Sequence, residues 1–188
     1  MSHFTQIGIK ITNLEALKRA AEKMGFKLDT NTMCRYYFGE QHMDAVVKLP
    51  GIYDIGLTKA NKEYTMSADL FKGDVERYVG TQGNRLLREY AVEQARGEAH
   101  QRGFSIMSEE VKGTRATLVV LDPETGGKLN VVCDENGKIH TETTGFQGDS
   151  CMKFKEMEEA LGAVEETGLT SEYYATVSQN DTVDIRNL

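Results

Sequence analysis

The spacing of apolar residues divides the start of the chain into a strand and a helix. Isoleucines alternate with other residues between Ile7 and Ile11, which is the period of a half-buried strand. From residue 14 to residue 24 the apolar positions recur every three or four residues, which predicts an amphipathic helix. Asn13 is a suitable N-cap for this helix, and Gly25 stands where a C-terminal glycine is expected.

The middle of the chain predicts several short strands followed by one long helix. Apolar or aromatic runs at 35–38, 45–49 and 52–57 are separated by turn residues, of which Pro50-Gly51 are the strongest. Asp74 is predicted to cap a short helical turn. An apolar stripe then runs from Leu86 to Ala95, with charged residues, Glu89 and Glu93 among them, assigned mainly to the other faces.

After this helix the pattern predicts strands at 104–107 and 114–121, and then a ββα unit. The unit comprises strands at 128–133 and 138–143, joined by a hairpin turn with the Asn136-Gly137 signal, and a helix that ends at Leu161. We therefore expect an α+β fold with a largely antiparallel sheet and two main helices, in a ferredoxin-like arrangement. The ββα unit would extend this sheet or cover its other face.

Charge and turn composition place a domain boundary at 122–127. Residues 1–121 carry 17 basic and 15 acidic side chains, whereas residues 122–188 carry 5 basic and 14 acidic ones. The expected organisation is an α+β domain at 1–121, the ββα unit at 122–162 and a polar acidic tail at 163–188 that is disordered until bound. The acidic last third repels nucleic acids and favours basic partners or cations, although simple solubility explains it equally well.

Composition indicates a globular cytoplasmic protein. Of the 188 residues, 39% are hydrophobic and 27% are charged, and no run is long enough for a membrane span or a secretory signal. The three cysteines form no CxxC pair, which favours a reducing compartment. The four histidines are scattered, so we expect no metal site and no cofactor.

One loop resembles an anion-binding element. Gly80 and Gly83 precede the long helix, whose start carries Asn84, Arg85 and Arg88. Free backbone N–H groups and the helix dipole favour an anion at such a position, and the two arginines add positive charge. The loop lacks the Gly-Lys-Ser/Thr end of a P-loop. The alternative interpretation is an ordinary turn in which Asn84 caps the helix.

Two further features have competing explanations. Cys151 falls in the first turn of the last helix, where the helix dipole can activate a thiol. The neighbouring Asp149 opposes thiolate formation, however, and the alternative interpretation is a small buried residue. The cluster Arg35-Tyr36-Tyr37-Phe38 mixes a cation with aromatic rings, as base-stacking surfaces do, yet alternating strand faces explain it too.

Two stretches of the chain resemble uncharacterised families. The first resemblance lies in the opening Met1-Ser2-His3-Phe4 with the segment 13–18, and in the helix segment 86–91 with its continuation to 102–104. Through these segments, residues 1–121 resemble the family of hypothetical chloroplast reading frame thirty-five. The segment 128–161, with Gly145-Phe146-Gln147-Gly148 and Cys151, resembles a second small family. Relatives of the first occur in bacteria and phages, and members of the two families are often encoded side by side. Their fusion here predicts that they act together.

The resemblance implies a partner role, because genes of these families often lie near a gene for a AAA-type ATPase. The first hypothesis is therefore a non-enzymatic adaptor that acts through the acidic C-terminal unit, as a monomer or homo-oligomer. The second is a binder of a small anionic ligand such as a nucleotide, which in a phage would sequester a signal. The third is an enzyme with Cys151 as nucleophile.

Overall fold

The computed structural model describes residues 4–134, 138–145 and 152–161. Within these residues the chain forms nine strands and four helices. The strands are β1 (Phe4–Ile11), β2 (Lys27–Tyr36), β3 (Gly39–Lys48), β4 (Ile55–Ala60), β5 (Glu63–Asp69), β6 (Ser105–Lys112), β7 (Arg115–Leu121), β8 (Lys128–Cys133) and β9 (Ile139–Thr144). The helices are α1 (Leu14–Lys23), α2 (Glu76–Val79), α3 (Asn84–Gln101) and α4 (Met152–Leu161), with short 3₁₀ turns at Phe71–Gly73 and Thr81–Gly83.

The strands form two antiparallel sheets. The first has the order β1-β5-β4-β3-β2 and the second β6-β7-β8-β9. The predicted α+β class with antiparallel pairing and a C-terminal ββα unit is confirmed, although the strands divide between two sheets. The ferredoxin-like arrangement is not confirmed, because four strands follow α1 without an intervening helix.

Local signals fix the ends of α1 as the sequence predicts. The Asn13 side chain accepts a hydrogen bond from the backbone N–H of Ala16 at 3.0 Å, which satisfies one of the free donors of the first turn. Gly25 follows the helix with φ +82°, and the Phe26 N–H reaches back to the Ala21 carbonyl at 2.8 Å. This hydrogen bond satisfies one of the last helical carbonyls and turns the chain into β2.

The helix α3 contributes to the two largest hydrophobic cores of the described residues. Its first half contributes Leu86, Leu87 and Tyr90 to the core between α1 and the first sheet. Its second half contributes Ala95 and Ala99 to the core between α4 and the second sheet. The Tyr90 hydroxyl also accepts hydrogen bonds from the backbone N–H groups between β1 and α1, at 3.1 and 3.3 Å. Because the first half of α3 packs against α1, the cavity described below lies between these two helices.

Buried aspartates shape the loop between β3 and β4, where the sequence predicted a strand over 52–57. Asp54 is fully buried and accepts the Leu49 N–H at 3.1 Å, and β4 begins only at Ile55. Asp74 accepts the N–H groups of Ile52 and Tyr53 at 2.9 and 3.2 Å. Its predicted role as a helix cap is wrong, since its carboxylate is used by this loop and α2 has no side-chain cap.

Several predictions fall outside the described residues. These are the Asn136-Gly137 turn, the loop at 146–150, Cys151 and the tail at 163–188. The predicted boundary at 122–127 stays a prediction. The turn at these residues joins β7 to β8 of the same sheet, and the Asp122 N–H donates to the Gly127 carbonyl at 2.8 Å.

Candidate functional site

A cavity of about 360 Å³ lies where the end of α1 meets α2 and the start of α3. Its volume is within the range of pockets that hold small molecules. Its wall combines three cations, one carboxylate, two aromatic rings and a thioether, supplied by Lys23, Met24, Phe26, Tyr78, Arg85, Arg88 and Glu89.

Two glycines allow the chain to enter α3 at this place. Gly80 and Gly83 have φ +79° and +78°, values that other residues rarely adopt. A side chain at Gly80 would also collide with the Asn84 amide oxygen. Gly83 is the N-cap residue and Asn84 is the first helical residue, so the alternative interpretation of Asn84 as the cap is wrong. The helix begins with no side-chain cap and no acidic residue in its first turn.

Arg85 and Arg88 stand one helical turn apart on the cavity wall. Arg85 is exposed and forms no ion pair with any residue that the structure describes. Arg88 is only 12% exposed. Its guanidinium donates to the Gly113 carbonyl at 3.1 Å and to Glu89 at 3.0 Å, while its buried Nε has no hydrogen-bond partner among the described residues. Arg85 lies in the first turn of α3, where its charge repels the positive end of the helix dipole, and an anion would relieve that repulsion.

Glu89 is the one carboxylate in the wall, and its side chain is 9% exposed. Lys23 Nζ lies 3.1 Å from Glu89 Oε2 and 3.2 Å from Glu109 on β6. Burial lowers the pKa of the Lys23 ammonium, but the two carboxylates outweigh burial and raise it above its ordinary value. Lys23 therefore remains charged at neutral pH.

The cavity borders a larger network of ion pairs between α1, α3 and β6. Glu93 contacts Arg19 at 3.3 Å and Arg96 at 2.7 Å, and Arg96 also pairs with Glu109. Counting the cavity wall with this network, five cations surround three carboxylates, which leaves an excess of two positive charges. The cations are Arg19, Lys23, Arg85, Arg88 and Arg96, and the carboxylates are Glu89, Glu93 and Glu109. A bound dianion would neutralise this excess.

Sequence reasoning found part of this site. Arg85 and Arg88 line the cavity, whereas Gly80, Gly83 and Asn84 shape the helix start and are not among its lining residues. The cation from α1 and both aromatic rings were missed, because nothing in their local pattern joins them to α3. The assignment of Glu89 and Glu93 to the polar faces of α3 was wrong, since both are buried with ionic partners.

The described cysteines are unsuited to nucleophilic chemistry. Cys34 and Cys133 are buried free thiols. Burial raises the pKa of Cys34 to about 11 and that of Cys133 to about 12, so both stay protonated at neutral pH. Among residues 4–134, 138–145 and 152–161, no three or more His, Cys, Asp or Glu side chains are placed to hold a metal ion. No helix in the described part has the length and apolar character that crossing a bilayer requires.

A second surface feature is apolar and lies at one end of the first sheet. Phe38, in the turn between β2 and β3, is 87% exposed, and Tyr37 beside it is 49% exposed. The Tyr37 ring contacts Phe38 and Phe71, with centroid distances of 4.9 Å in each case. Arg35 does not join these rings as a stacking cation, since it donates two hydrogen bonds to buried Asp54 at 2.9 and 2.7 Å.

Comparison with known proteins gives two family matches and one relative. Residues 20–120 match the model described as "Protein of unknown function (DUF1257)", and residues 129–174 match "Protein of unknown function (DUF2997)". "Uncharacterized protein ycf35" of Cyanophora paradoxa is 33% identical over 112 residues, which cover 58% of this chain and 88% of that protein. No solved structure matches significantly. All seven cavity residues fall inside the first matched range.

Proposed function

The chain belongs to the DUF1257 family, and on that premise we propose that it is a non-enzymatic protein that binds a small anionic ligand between α1 and α3. Both resemblances drawn from the sequence are confirmed, since the ycf35 relative and a separate DUF2997 match are found. The family descriptions name no ligand or activity, so the proposal depends on the chemistry of the cavity.

The observation that carries the proposal is the convergence of three cations on one cavity at the uncapped start of α3. Arg85 has no ion pair among the described residues, and the buried Nε of Arg88 has no hydrogen-bond partner among them. Lys23, which is on α1, supplies the third charge. Phosphate or carboxylate oxygens would take up these donors.

The test is a thermal-unfolding screen with pyrophosphate, guanosine monophosphate and adenosine monophosphate. A ligand at about 100 times its dissociation constant adds about 2.7 kcal/mol to the free energy of unfolding. For a chain of this size that corresponds to a rise in Tm of about 5 to 10 °C. We expect at least one of these anions to raise Tm in the wild-type protein.

The matched variants are Arg85→Ala and Arg115→Ala. Both residues are exposed arginines, but only Arg85 lines the cavity. We expect Arg85→Ala to lose most of the anion-induced rise in Tm and Arg115→Ala to keep it. Equal responses of the two variants, or no response of the wild-type protein to any of the three anions, would exclude the proposed site.

A second candidate is the adaptor role with a AAA-type ATPase. The exposed rings of Tyr37 and Phe38 favour a partner surface, because contiguous exposed apolar side chains often mark contacts with other proteins. The charge pattern of the sequence instead places the contact in residues 122–188. Affinity purification of the wild type, of Phe38→Ser and of a chain lacking 163–188 separates the two surfaces. If neither variant loses the ATPase, both surfaces are excluded as its binding site.

The third candidate, a cysteine-dependent enzyme, depends on Cys151, which lies outside the described residues. It stays a prediction, as does the cytoplasmic location. If Cys151 is a nucleophile, iodoacetamide should alkylate it faster than it alkylates the thiol of a short cysteine peptide. A rate equal to or below that of the peptide contradicts a nucleophilic role.

A further inference from the structure

Two of the three cavity cations already have a carboxylate partner in the wall. Arg88 Nη2 lies 3.0 Å from one oxygen of Glu89, and Lys23 Nζ lies 3.1 Å from the other. Arg85 is exposed and forms no ion pair with any residue that the structure describes. The charge that is open to a further carboxylate is therefore the guanidinium of Arg85.

The cavity also has an aromatic wall. Phe26 and Tyr78 both line it, and their rings meet edge to face with centroids 6.3 Å apart. The thioether of Met24, a favourable partner for aromatic rings, lines the same cavity. A further ring would pack well against these side chains. The cavity therefore suits a carboxylate that has an aromatic side chain next to it.

The described part of the chain ends beside the same two helices. The Arg102 guanidinium donates to the Glu156 carbonyl at 3.4 Å, and the Gln94 amide donates to the Ala160 carbonyl at 2.7 Å, so α4 runs antiparallel to α3. The Gln94 amide also donates to the Thr12 hydroxyl at 3.3 Å, just before α1 begins. Helix α4 therefore points towards the start of α3, which is the end at which the cavity lies.

The tail that follows α4 carries side chains of the kind that the cavity suits. Residues 163–188 include five acidic side chains and one basic one. Glu172 is followed by Tyr173 and Tyr174, the only aromatic residues of the tail. The eleven residues from Leu161 to Glu172 span at most about 36 Å when extended. Helix α1, which leads from the end of α4 to the cavity, is only about 15 Å long, so Glu172 is within reach.

We propose that the segment Glu172-Tyr173-Tyr174 of the same chain occupies the cavity and competes there with free anions. The Glu172 carboxylate would pair with Arg85, and a tyrosine ring would pack against the aromatic wall. Because the segment is held on the same chain, its effective concentration is near the millimolar range, and a free anion must displace it. This inference rests on the proposed function and adds regulation to the same site.

The first test measures the dissociation constant of pyrophosphate by calorimetry in the wild type and in two tail variants. Glu172→Gln removes the proposed partner of Arg85, whereas Glu165→Gln removes a tail carboxylate that has no aromatic neighbour. A segment that fills the cavity about nine-tenths of the time weakens anion binding about tenfold. We therefore expect Glu172→Gln to bind pyrophosphate about tenfold more tightly than the wild type, and Glu165→Gln to match the wild type.

Equal affinities of the two tail variants would overturn the inference. If pyrophosphate still binds and its binding still needs Arg85, the proposed function survives that result. The oligomeric state of the wild type tests the assignment to the same chain. A dimer that Glu172→Gln dissociates would mean that the segment binds a second copy, and would overturn the assignment.

The second test needs no free anion. Phenylglyoxal modifies accessible guanidinium groups, and peptide mass spectrometry measures its rate at Arg85 and at Arg115, an exposed arginine outside the cavity. We expect Arg85 to react several times faster in Glu172→Gln than in the wild type or in Glu165→Gln, and Arg115 to react equally in all three. An unchanged rate at Arg85 would overturn the inference, whether or not pyrophosphate binds.

Discussion

Buried carboxylates with several partners are the residues on which this fold depends most. Asp54 is fully buried and accepts hydrogen bonds from the Arg35 side chain, the Lys48 ammonium and the Leu49 backbone. Burial raises the pKa of this carboxyl, but Arg35 and the backbone N–H groups outweigh burial and hold the pKa below its ordinary value. The charged form of Asp54 therefore stabilises the loop between β3 and β4.

Replacing Asp54 with asparagine should lower the free energy of unfolding by about 3 kcal/mol, because two cations and two backbone donors lose their charged partner. Urea unfolding measures this change. The matched control is Asp29→Asn, since Asp29 pairs at 2.8 Å with the well-exposed Lys27. Such a surface pair is worth less than about 1 kcal/mol. Comparable losses in the two variants would contradict the role given to burial.

The effect of Asp54→Asn should depend on pH in one direction. The folded-state pKa of Asp54 lies below its unfolded-state value, so its contribution to stability is complete above about pH 4. It is then lost as pH falls through the folded-state pKa. The difference in unfolding free energy between wild type and variant should be constant near neutrality and shrink in acid. A difference that grows in acid would mean that the carboxylate is not the stabilising form.

Gly56 on β4 is a second constrained residue, because the neighbouring side chains leave no room for a Cβ atom there. A Cβ there would collide most closely with the hydroxyl of Tyr36 on β2, which forms a 2.9 Å hydrogen bond with Ser67, and would also press on the Met43 side chain. Gly56→Ala should cost about 1 to 3 kcal/mol from overpacking. In a Tyr36→Phe background the collision is smaller, so the cost of Gly56→Ala should fall. Equal costs in both backgrounds, measured by urea unfolding, would contradict this explanation.

At the scale of elements, the ion-pair network connects α1 and α3 to the edge strand β6. Glu109 pairs with Lys23 of α1 and Arg96 of α3. Burial raises the pKa of the Glu109 carboxyl, but its two cationic partners outweigh burial and lower it. Glu109→Gln should therefore destabilise the protein by about 1.5 kcal/mol. Glu110→Gln, which affects only an exposed pair with Lys112, should change stability by less than about 0.5 kcal/mol.

Elements with strong local signals were predictable, and contacts across the chain were not. Asn13 and Gly25 delimit α1 as the sequence predicts, because their effects act within one helical turn. The strand β5 was missed, and the division into two sheets was unexpected, since pairing depends on residues far apart in sequence. The burial of Glu89 could not be predicted for the same reason, because its partner Lys23 lies on another helix. Of the seven residues that line the candidate site, two, Arg85 and Arg88, carried a local signal.

At the scale of the whole molecule, α3 joins the two cores, so they should unfold together. Leu86→Ala in the first core and Met157→Ala in the second should each lower the stability of the entire chain by about 2 to 5 kcal/mol. Circular dichroism and tyrosine fluorescence should report a single coincident transition in both variants. Two separate transitions would show that α3 does not couple the sheets.

We propose that the cavity between α1 and α3 holds an anionic ligand. A native mass spectrum of the protein mixed in turn with pyrophosphate, guanosine monophosphate and adenosine monophosphate tests this, with Arg85→Ala and Arg115→Ala recorded beside the wild type. We predict a one-to-one adduct with at least one of these anions in the wild type and in Arg115→Ala, and its loss in Arg85→Ala. No adduct of any anion in any of the three proteins, or adducts of equal intensity in all three, would contradict the account.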